Sequence, residues 1–162
     1  MLIAPDELIK DFGAAASVAA MSGWPCEMRG ELLLAPHRPP SGLPAGYGAV
    51  YAFALRSSST AAAGGGRVLK VGKVGPNSAA RFTSQHYSPA SAGSTLAGSI
   101  IKYPILWPWL GIAPEDVADI RSWMIRNLDR MHIFVRQPSP EFLTTVELYV
   151  RARVGSVYEG SA

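Results

Sequence analysis

The sequence predicts an α+β domain, a small three-stranded antiparallel sheet flanked by helices, with an N-terminal helical extension. Two β-favouring segments, residues 48–55 and 67–74, are joined by a flexible loop, which favours an antiparallel hairpin. A third such segment, residues 131–137, lies between segments of helical periodicity. We divide the 162-residue chain into a lead-in, residues 1–45, and a main domain, residues 46–160.

Before the hairpin, residues 6–21 predict a helix, with acidic residues in its first turn where the helix dipole favours them. Residues 35–48 are rich in proline and glycine and predict an irregular connection. Small residues at 57–66 form the loop of the hairpin.

After the hairpin, Pro76 can start a helix over residues 77–85, and a second helix begins near Ser91. Residues 114–129 predict a longer helix, with acids in its first turn and apolar residues on one face. Ser139 is the expected N-cap of a last helix over residues 140–153.

Composition narrows the class of protein. Hydrophobic residues make up 48% of the chain and charged residues 17%, which suits one packed core and argues against disorder. The single cysteine, Cys26, excludes an internal disulfide and a zinc site of several cysteines, and it favours a cytoplasmic setting. We expect no membrane span, because Lys102 and two prolines interrupt the longest apolar stretch.

Charge is distributed unevenly along the chain. No aspartate or glutamate occurs between Glu31 and Glu115, and the same stretch contains seven cations. These are Arg38, Arg56, Arg67, Lys70, Lys73, Arg81 and Lys102. A cationic surface of this kind suits a polyanion such as DNA or RNA, and a solvated basic face without a partner fits the charge equally well.

Two short motifs lie on the strands of the predicted hairpin. The first strand carries Ala49-Val50-Tyr51 after Gly48, and the second carries Lys70-Val71-Gly72 before Lys73. Each motif alone is a weak signal. The two motifs in this order, on matching predicted strands, are a more specific signal than either motif alone.

Three residues downstream extend this pattern. Arg81 lies nine positions after Gly72, His86 follows it, and Glu147 lies on the predicted last helix. With these residues in this order, residues 46–160 resemble a GIY-YIG nuclease domain. The stretch 72–101 and the triplet 158–160 also look like a subgroup of uncharacterised bacterial members.

The resemblance implies a metal-dependent endonuclease that hydrolyses phosphodiester bonds, with DNA as the first substrate to consider. It implies that Glu147 binds Mg²⁺ or Mn²⁺ and that Arg81 contacts the scissile phosphate. Tyr51 or Lys70 would position or deprotonate the attacking water, and the residues leave that choice open. His86 would orient the water or contact a phosphate.

Further residues are candidates for contact with nucleic acid. Gly72 has no side chain and would let the substrate backbone approach closely. Tyr47, Lys73 and Gln85 are additional candidates, and the other two histidines, His37 and His132, are expected to be structural.

The sequence departs from the family pattern at two places. Lys70 stands where the second motif usually begins with tyrosine, and the late asparagine is absent, with Glu159 near its position. The missing asparagine motivates an alternative, a nucleic-acid-binding module that has lost cleavage. Tyr103, Trp107 and Trp109 motivate another alternative, a protein-interaction domain, although these rings can equally pack over the core.

Overall fold

A four-stranded antiparallel sheet is the centre of the molecule in the computed structural model, which describes residues 2–19, 27–91, 93 and 95–158. The α+β class is confirmed, and the expected number of three strands is wrong because an additional strand joins the sheet. The strand order is β1-β4-β2-β3. The strands are β1 (Met28–Leu33), β2 (Tyr47–Leu55), β3 (Val68–Val74) and β4 (Leu128–Arg136).

The additional strand, β1, lies in the segment that the sequence assigns to the lead-in. Its residues are mostly half-buried or exposed, and Gly30 interrupts the run, so the local pattern for a strand is weak. The strand forms through long-range pairing with β4, in which Met28 lies opposite Val135 and Leu33 opposite Arg130.

The predicted hairpin is present, and its register determines which side chains meet. In the β2–β3 pair, Tyr51 lies opposite Gly72 and Phe53 opposite Lys70. The pairing shifts between Phe53 and Ala54, close to the loop. Because side chains alternate between the two faces of a strand, Lys70 and Gly72 share a face with Tyr51, and Lys73 points to the other face.

Helices cover both faces of the sheet. In chain order they are α1 (Pro5–Val18), α2 (Ala79–Thr83), α3 (Leu96–Lys102), α4 (Trp107–Leu110), α5 (Pro114–Ala118), α6 (Ile120–Asn127) and α7 (Pro140–Val154). Helices α1 and α7 enclose one apolar cluster, and α3, α6 and the segment around α2 enclose the other. Among the described residues, no helix has the length and hydropathy needed to cross a membrane.

Several helices differ in length from the expectation. The helix expected at 77–85 is the short α2 followed by a 3-10 turn, Gln85–Tyr87, and the helix expected near Ser91 begins at Leu96. The helix expected at 114–129 is divided at Asp119, whose carboxylate accepts a hydrogen bond from the Ser122 amide and caps α6. Residues 20 and 21 of the expected first helix lie outside the described residues.

The segment after α7 returns to the outer edge of β3. The Val157 and Tyr158 amides donate hydrogen bonds to the Val68 and Leu69 carbonyls, at 3.2 and 2.7 Å. The Tyr158 ring is buried, and burial raises its pKa to about 12. The chain therefore covers the first part of this edge strand with its own backbone.

Helix α1 packs closely over β1 at Gly30. A Cβ atom on Gly30 would lie 2.6 Å from Asp6 Oδ1 and 2.7 Å from Pro5 Cβ, and the proline ring cannot rotate away. We expect Gly30→Ala to lower the free energy of unfolding by roughly 1–3 kcal/mol, measured by urea denaturation. Gly42→Ala is the control, because its added Cβ would meet nothing within 4 Å. Equal stability of the two variants would contradict this packing.

Candidate active site

Tyr51 and His86 form a buried hydrogen-bonded pair beside β3. The Tyr51 hydroxyl and His86 Nε2 are 2.5 Å apart, and both side chains are almost wholly inaccessible to solvent. The Leu96 amide lies 3.3 Å from His86 Nδ1. Since an amide N–H can only donate, Nδ1 accepts, and a neutral ring then carries its hydrogen on Nε2 and donates it to Tyr51.

Electrostatics keep this histidine uncharged. Burial, followed by the charges of Lys70, Arg130 and Arg81, lowers the pKa of His86 to about 3. The neutral ring therefore holds the Tyr51 hydroxyl in place through one fixed tautomer.

The Tyr51 hydroxyl is held in its protonated form. Burial raises the pKa of Tyr51, and the nearby charge and hydrogen bond of Arg81 oppose that effect without reversing it. The hydroxyl oxygen accepts from its neighbours, so its own hydrogen is left for a further acceptor.

Burial shifts the pKa of Lys70 in the opposite direction from the pKa of Tyr51. Its side chain is 3% exposed, and burial, then the charges of Arg81 and Arg151, lower the pKa of Lys70. A protein interior favours the uncharged form of each group, which is a proton donor for tyrosine and a proton acceptor for lysine. Lys70 is thus the better suited of the two to accept a proton.

Gly72 makes room for the tyrosine ring. A Cβ atom on Gly72 would lie 2.5 Å from the Tyr51 hydroxyl oxygen and 2.7 Å from Cζ. The Tyr51 ring fills the space above the glycine. A further contact of Gly72 with nucleic acid stays a prediction.

Glu147 lies on α7 between two cations. One carboxylate oxygen is 3.1 Å from Lys73 Nζ and the other is 3.3 Å from an Arg151 guanidinium nitrogen. Lys73 also donates a 2.8 Å hydrogen bond to the Thr144 hydroxyl. The charge of Glu147 also raises the pKa of Tyr51, as the smallest of the effects on that hydroxyl.

A metal ion at Glu147 would have few protein ligands. Within the described part of the chain, no group of three or more histidine, cysteine, aspartate or glutamate side chains could hold a metal. Mg²⁺ accepts one or two carboxylates when water and substrate phosphate supply the remaining oxygens. Lys73 and Arg151 both compete for Glu147, so the residues fit a divalent ion best when a phosphate is also bound.

An open cavity of about 420 Å³ adjoins this cluster. It lies between the turn after β3 and the N-terminal end of α7. Lys73 and Arg81 supply its charge, prolines and aliphatic side chains supply most of its remaining wall, and Ser78 and Thr144 contribute hydroxyls. Arg81 is exposed, so its guanidinium is available to an incoming anion.

Tyr47 and Gln85, two further residues expected to contact nucleic acid, differ in their position relative to this cluster. Tyr47 donates a hydrogen bond to Glu27 and packs against Arg29, next to β1, the edge strand opposite β3. Gln85 begins the 3-10 turn that carries His86 and is half-buried. Tyr47 is thus separate from the cluster at β3, and Gln85 adjoins it.

Sequence reasoning missed a fully buried arginine, Arg130, on β4. Its guanidinium lies 4.9–5.8 Å from four aromatic ring centroids and donates a hydrogen bond to the Phe82 carbonyl. The four rings belong to Tyr51, Phe53, Phe82 and Tyr87. Cation–π contacts in a dry environment offset part of the cost of burying this charge. In the sequence Arg130 follows Asp129 directly before the predicted strand, and no local pattern marks it as buried.

The other two histidines hold structural positions. His37 Nε2 is 2.7 Å from the Tyr87 hydroxyl, and His132 Nδ1 is 2.7 Å from a Glu31 oxygen. Burial, then the charges of Arg130 and His37, lower the pKa of His132 to about 2. Glu31 is half-exposed, so water screens its attraction, and the contact is a hydrogen bond from a neutral ring.

The aromatic segment between α3 and α5 packs mainly on the core. The Trp107 indole donates a 2.8 Å hydrogen bond to the Ile100 carbonyl, and Arg67 lies over the Trp109 ring. Tyr103 is partly exposed and stacks on Tyr158. Packing therefore accounts for both tryptophans.

No protein-family model matches this chain, and neither curated proteins nor solved structures give a match. The GIY-YIG resemblance therefore depends on the sequence motifs alone. Tyr51, Lys70, Arg81 and His86 nevertheless interact with one another beside β3, and Glu147 pairs with Lys73 of the same strand. Of the terminal triplet, Tyr158 is described, and residues 159 and 160 lie outside the described residues.

The buried histidines give a testable pH response. We expect the His86 and His132 imidazole signals in NMR spectra to stay those of neutral rings from about pH 8 to about pH 5. Because the folded pKa of His86 is about 3 and its ordinary value is 6.5, the stability of the fold should decrease as pH falls through that interval. Urea-unfolded protein is the control, and its rings should titrate normally. A midpoint near 6.5 for folded His86 would contradict the buried pair.

Proposed function

We propose that this protein is a metal-dependent endonuclease of GIY-YIG type that hydrolyses phosphodiester bonds of nucleic acid, with DNA as the first substrate. One observation carries the proposal. Arg81 interacts with Tyr51, His86 and Lys70 and lines an open, cationic cavity. Lys73, the ion-pair partner of Glu147, lines the same cavity. The proposed setting is the cytoplasm, on the ground of the single cysteine in the sequence.

Arg81 and Lys73 are suited to bind the scissile phosphate. Both line the cavity, and Arg81 is exposed. A guanidinium can donate two parallel hydrogen bonds to phosphate oxygens, and an ammonium adds a point charge. Together they would hold the phosphate and stabilise the charge that develops as the bond breaks.

Lys70 is the proposed proton acceptor, and Tyr51 the proposed orienting group. Burial favours a neutral amine at Lys70, which can take a proton from the attacking water. Burial favours a protonated phenol at Tyr51, which can donate a hydrogen bond to that water or to a phosphate oxygen. His86 fixes the direction of the phenol.

Mg²⁺ or Mn²⁺ is the proposed cofactor, with Glu147 as its protein ligand. When bound, such an ion stabilises negative charge on the phosphate and lowers the pKa of coordinated water. Lys73 and Arg151 would have to yield carboxylate oxygens of Glu147 to the ion. A phosphate that draws Lys73 toward itself would assist that exchange.

The second candidate is a nucleic-acid-binding module without cleavage. The double ion pairing of Glu147 favours it, because a carboxylate held by Lys73 and Arg151 is a poor metal ligand. The absent late asparagine points in the same direction. Salt-sensitive DNA binding without metal-stimulated nicking would support this candidate.

A plasmid-nicking assay tests the proposed activity. We expect nicking of supercoiled DNA with Mg²⁺ or Mn²⁺, none with chelator, and at least about 100-fold slower nicking by Glu147→Gln. Glu141→Gln is the matched control, because Glu141 lies on the same helix and is exposed. No nicking of plasmid, branched DNA or RNA by the wild type would favour the binding module.

The pH dependence of cleavage separates the roles of Lys70 and Tyr51. We expect the wild-type rate to rise with pH as the lysine deprotonates, with a midpoint below the ordinary lysine value of 10.5. Lys70→Met should abolish that rise, and Tyr51→Phe should lower the rate without moving the midpoint. Loss of the rise in Tyr51→Phe, with its retention in Lys70→Met, would assign the proton acceptor to Tyr51 instead.

A further inference from the structure

The cavity beside the cluster has two chemically distinct parts. Its cationic part consists of Lys73 and Arg81, the same groups that face the proposed phosphate position. The rest of the lining is mainly apolar. Its walls are formed by Pro76, Pro138, Pro140, Leu143 and Val74.

Proline rings give this apolar part a stable shape. Their side chains have almost no rotational freedom, so a flat ligand can enter with little loss of side-chain entropy. Leu143 is buried and packs in the core beneath the cavity. The Thr144 hydroxyl is already bonded to Lys73 Nζ and to the Pro140 carbonyl, so it holds the rim in place.

The volume suits one nucleotide. A cavity of about 420 Å³ is within the size range of small-molecule sites, roughly 300–1,000 Å³. A base is flat and largely apolar on its two faces, and its phosphate is an anion. The cavity lining likewise combines two cations with mainly apolar surface.

We propose that the cavity holds the base of an unpaired nucleotide, next to the phosphate that Lys73 and Arg81 bind. The proposal rests on the proposed function, because it assigns a substrate class to the same site. A base stacked inside a duplex cannot enter the cavity. A bulged, flipped or single-stranded base can do so at low cost, because its stacking is already weakened or lost.

The apolar lining predicts that the cavity accepts any of the bases. Apolar rings contact the faces of any base and read no hydrogen-bonding edge. The preference should therefore be for an unpaired base over an absent one, with only a small dependence on which base it is.

The test uses binding in chelator, so that it does not depend on cleavage. Fluorescence anisotropy at fixed salt would compare three DNA hairpins, one fully paired, one with a single bulged adenine and one with an abasic bulge. We expect the wild type to bind the adenine bulge at least about fivefold more tightly than either other hairpin. Ser78→Trp would fill the cavity from its rim and remove that preference.

Asn77→Trp is the matched control, because Asn77 is exposed, adjoins Ser78 and does not line the cavity. It should keep the full preference. Equal affinity of the wild type for adenine and abasic bulges would overturn the proposal, as would a preference that survives Ser78→Trp. Displacement of the bulged hairpin by an equal concentration of free deoxyadenosine monophosphate would also overturn it, in favour of a small-molecule nucleotide site.

The nicking assay keeps the two proposals distinguishable. Nicking without a bulge preference would leave the nuclease standing and remove the base site. A bulge preference that depends on the cavity, without nicking, would support the base site and remove the catalytic role.

Discussion

The central strand pair β2–β4 is buried on both faces, and this constraint determines which polar groups the protein can keep. Water cannot solvate a group there, so each one needs an internal partner or an uncharged form. Burial and nearby positive charges keep His86 and His132 neutral, and each ring has a hydrogen-bond partner. Arg130 is stabilised by aromatic rings and by the Phe82 carbonyl. The candidate site lies where this dry layer reaches the edge of the sheet at β3.

That position explains why the site residues differ in charge state and in exposure. Groups on the dry side, Tyr51 and Lys70, are driven toward their uncharged forms. Arg81, on the wet side, stays exposed, and Lys73 and Glu147 neutralise each other until a ligand enters. An anion is the natural partner for such an arrangement, because the cations outnumber the single carboxylate among them.

Local patterns predicted the parts of the fold that local physics controls. The strands of the hairpin and β4 are rich in β-favouring residues, and the long helix α7 begins at the Ser139 cap and buries residues at helical spacing. Strand β1 escaped prediction because pairing with β4, distant in sequence, creates it, and the break at Asp119 depends on one capping hydrogen bond. The sequence could not predict which side chains pair, because these pairs also join segments that are distant in sequence. The pairing of Lys73 with Glu147 exists only because α7 docks on the sheet.

The backbone segment at residues 157–158 has a consequence for contacts between molecules. An open edge of a β-sheet exposes unpaired amide and carbonyl groups and can recruit the edge of another molecule. Val157 and Tyr158 occupy that position against the first residues of β3. At the opposite edge, the charged Arg29 and Glu31 interrupt the apolar pattern of β1, an arrangement that discourages strand addition. Pairing with another molecule is thus opposed at both margins of the sheet, by a segment that covers the first residues of β3 and by charge on β1.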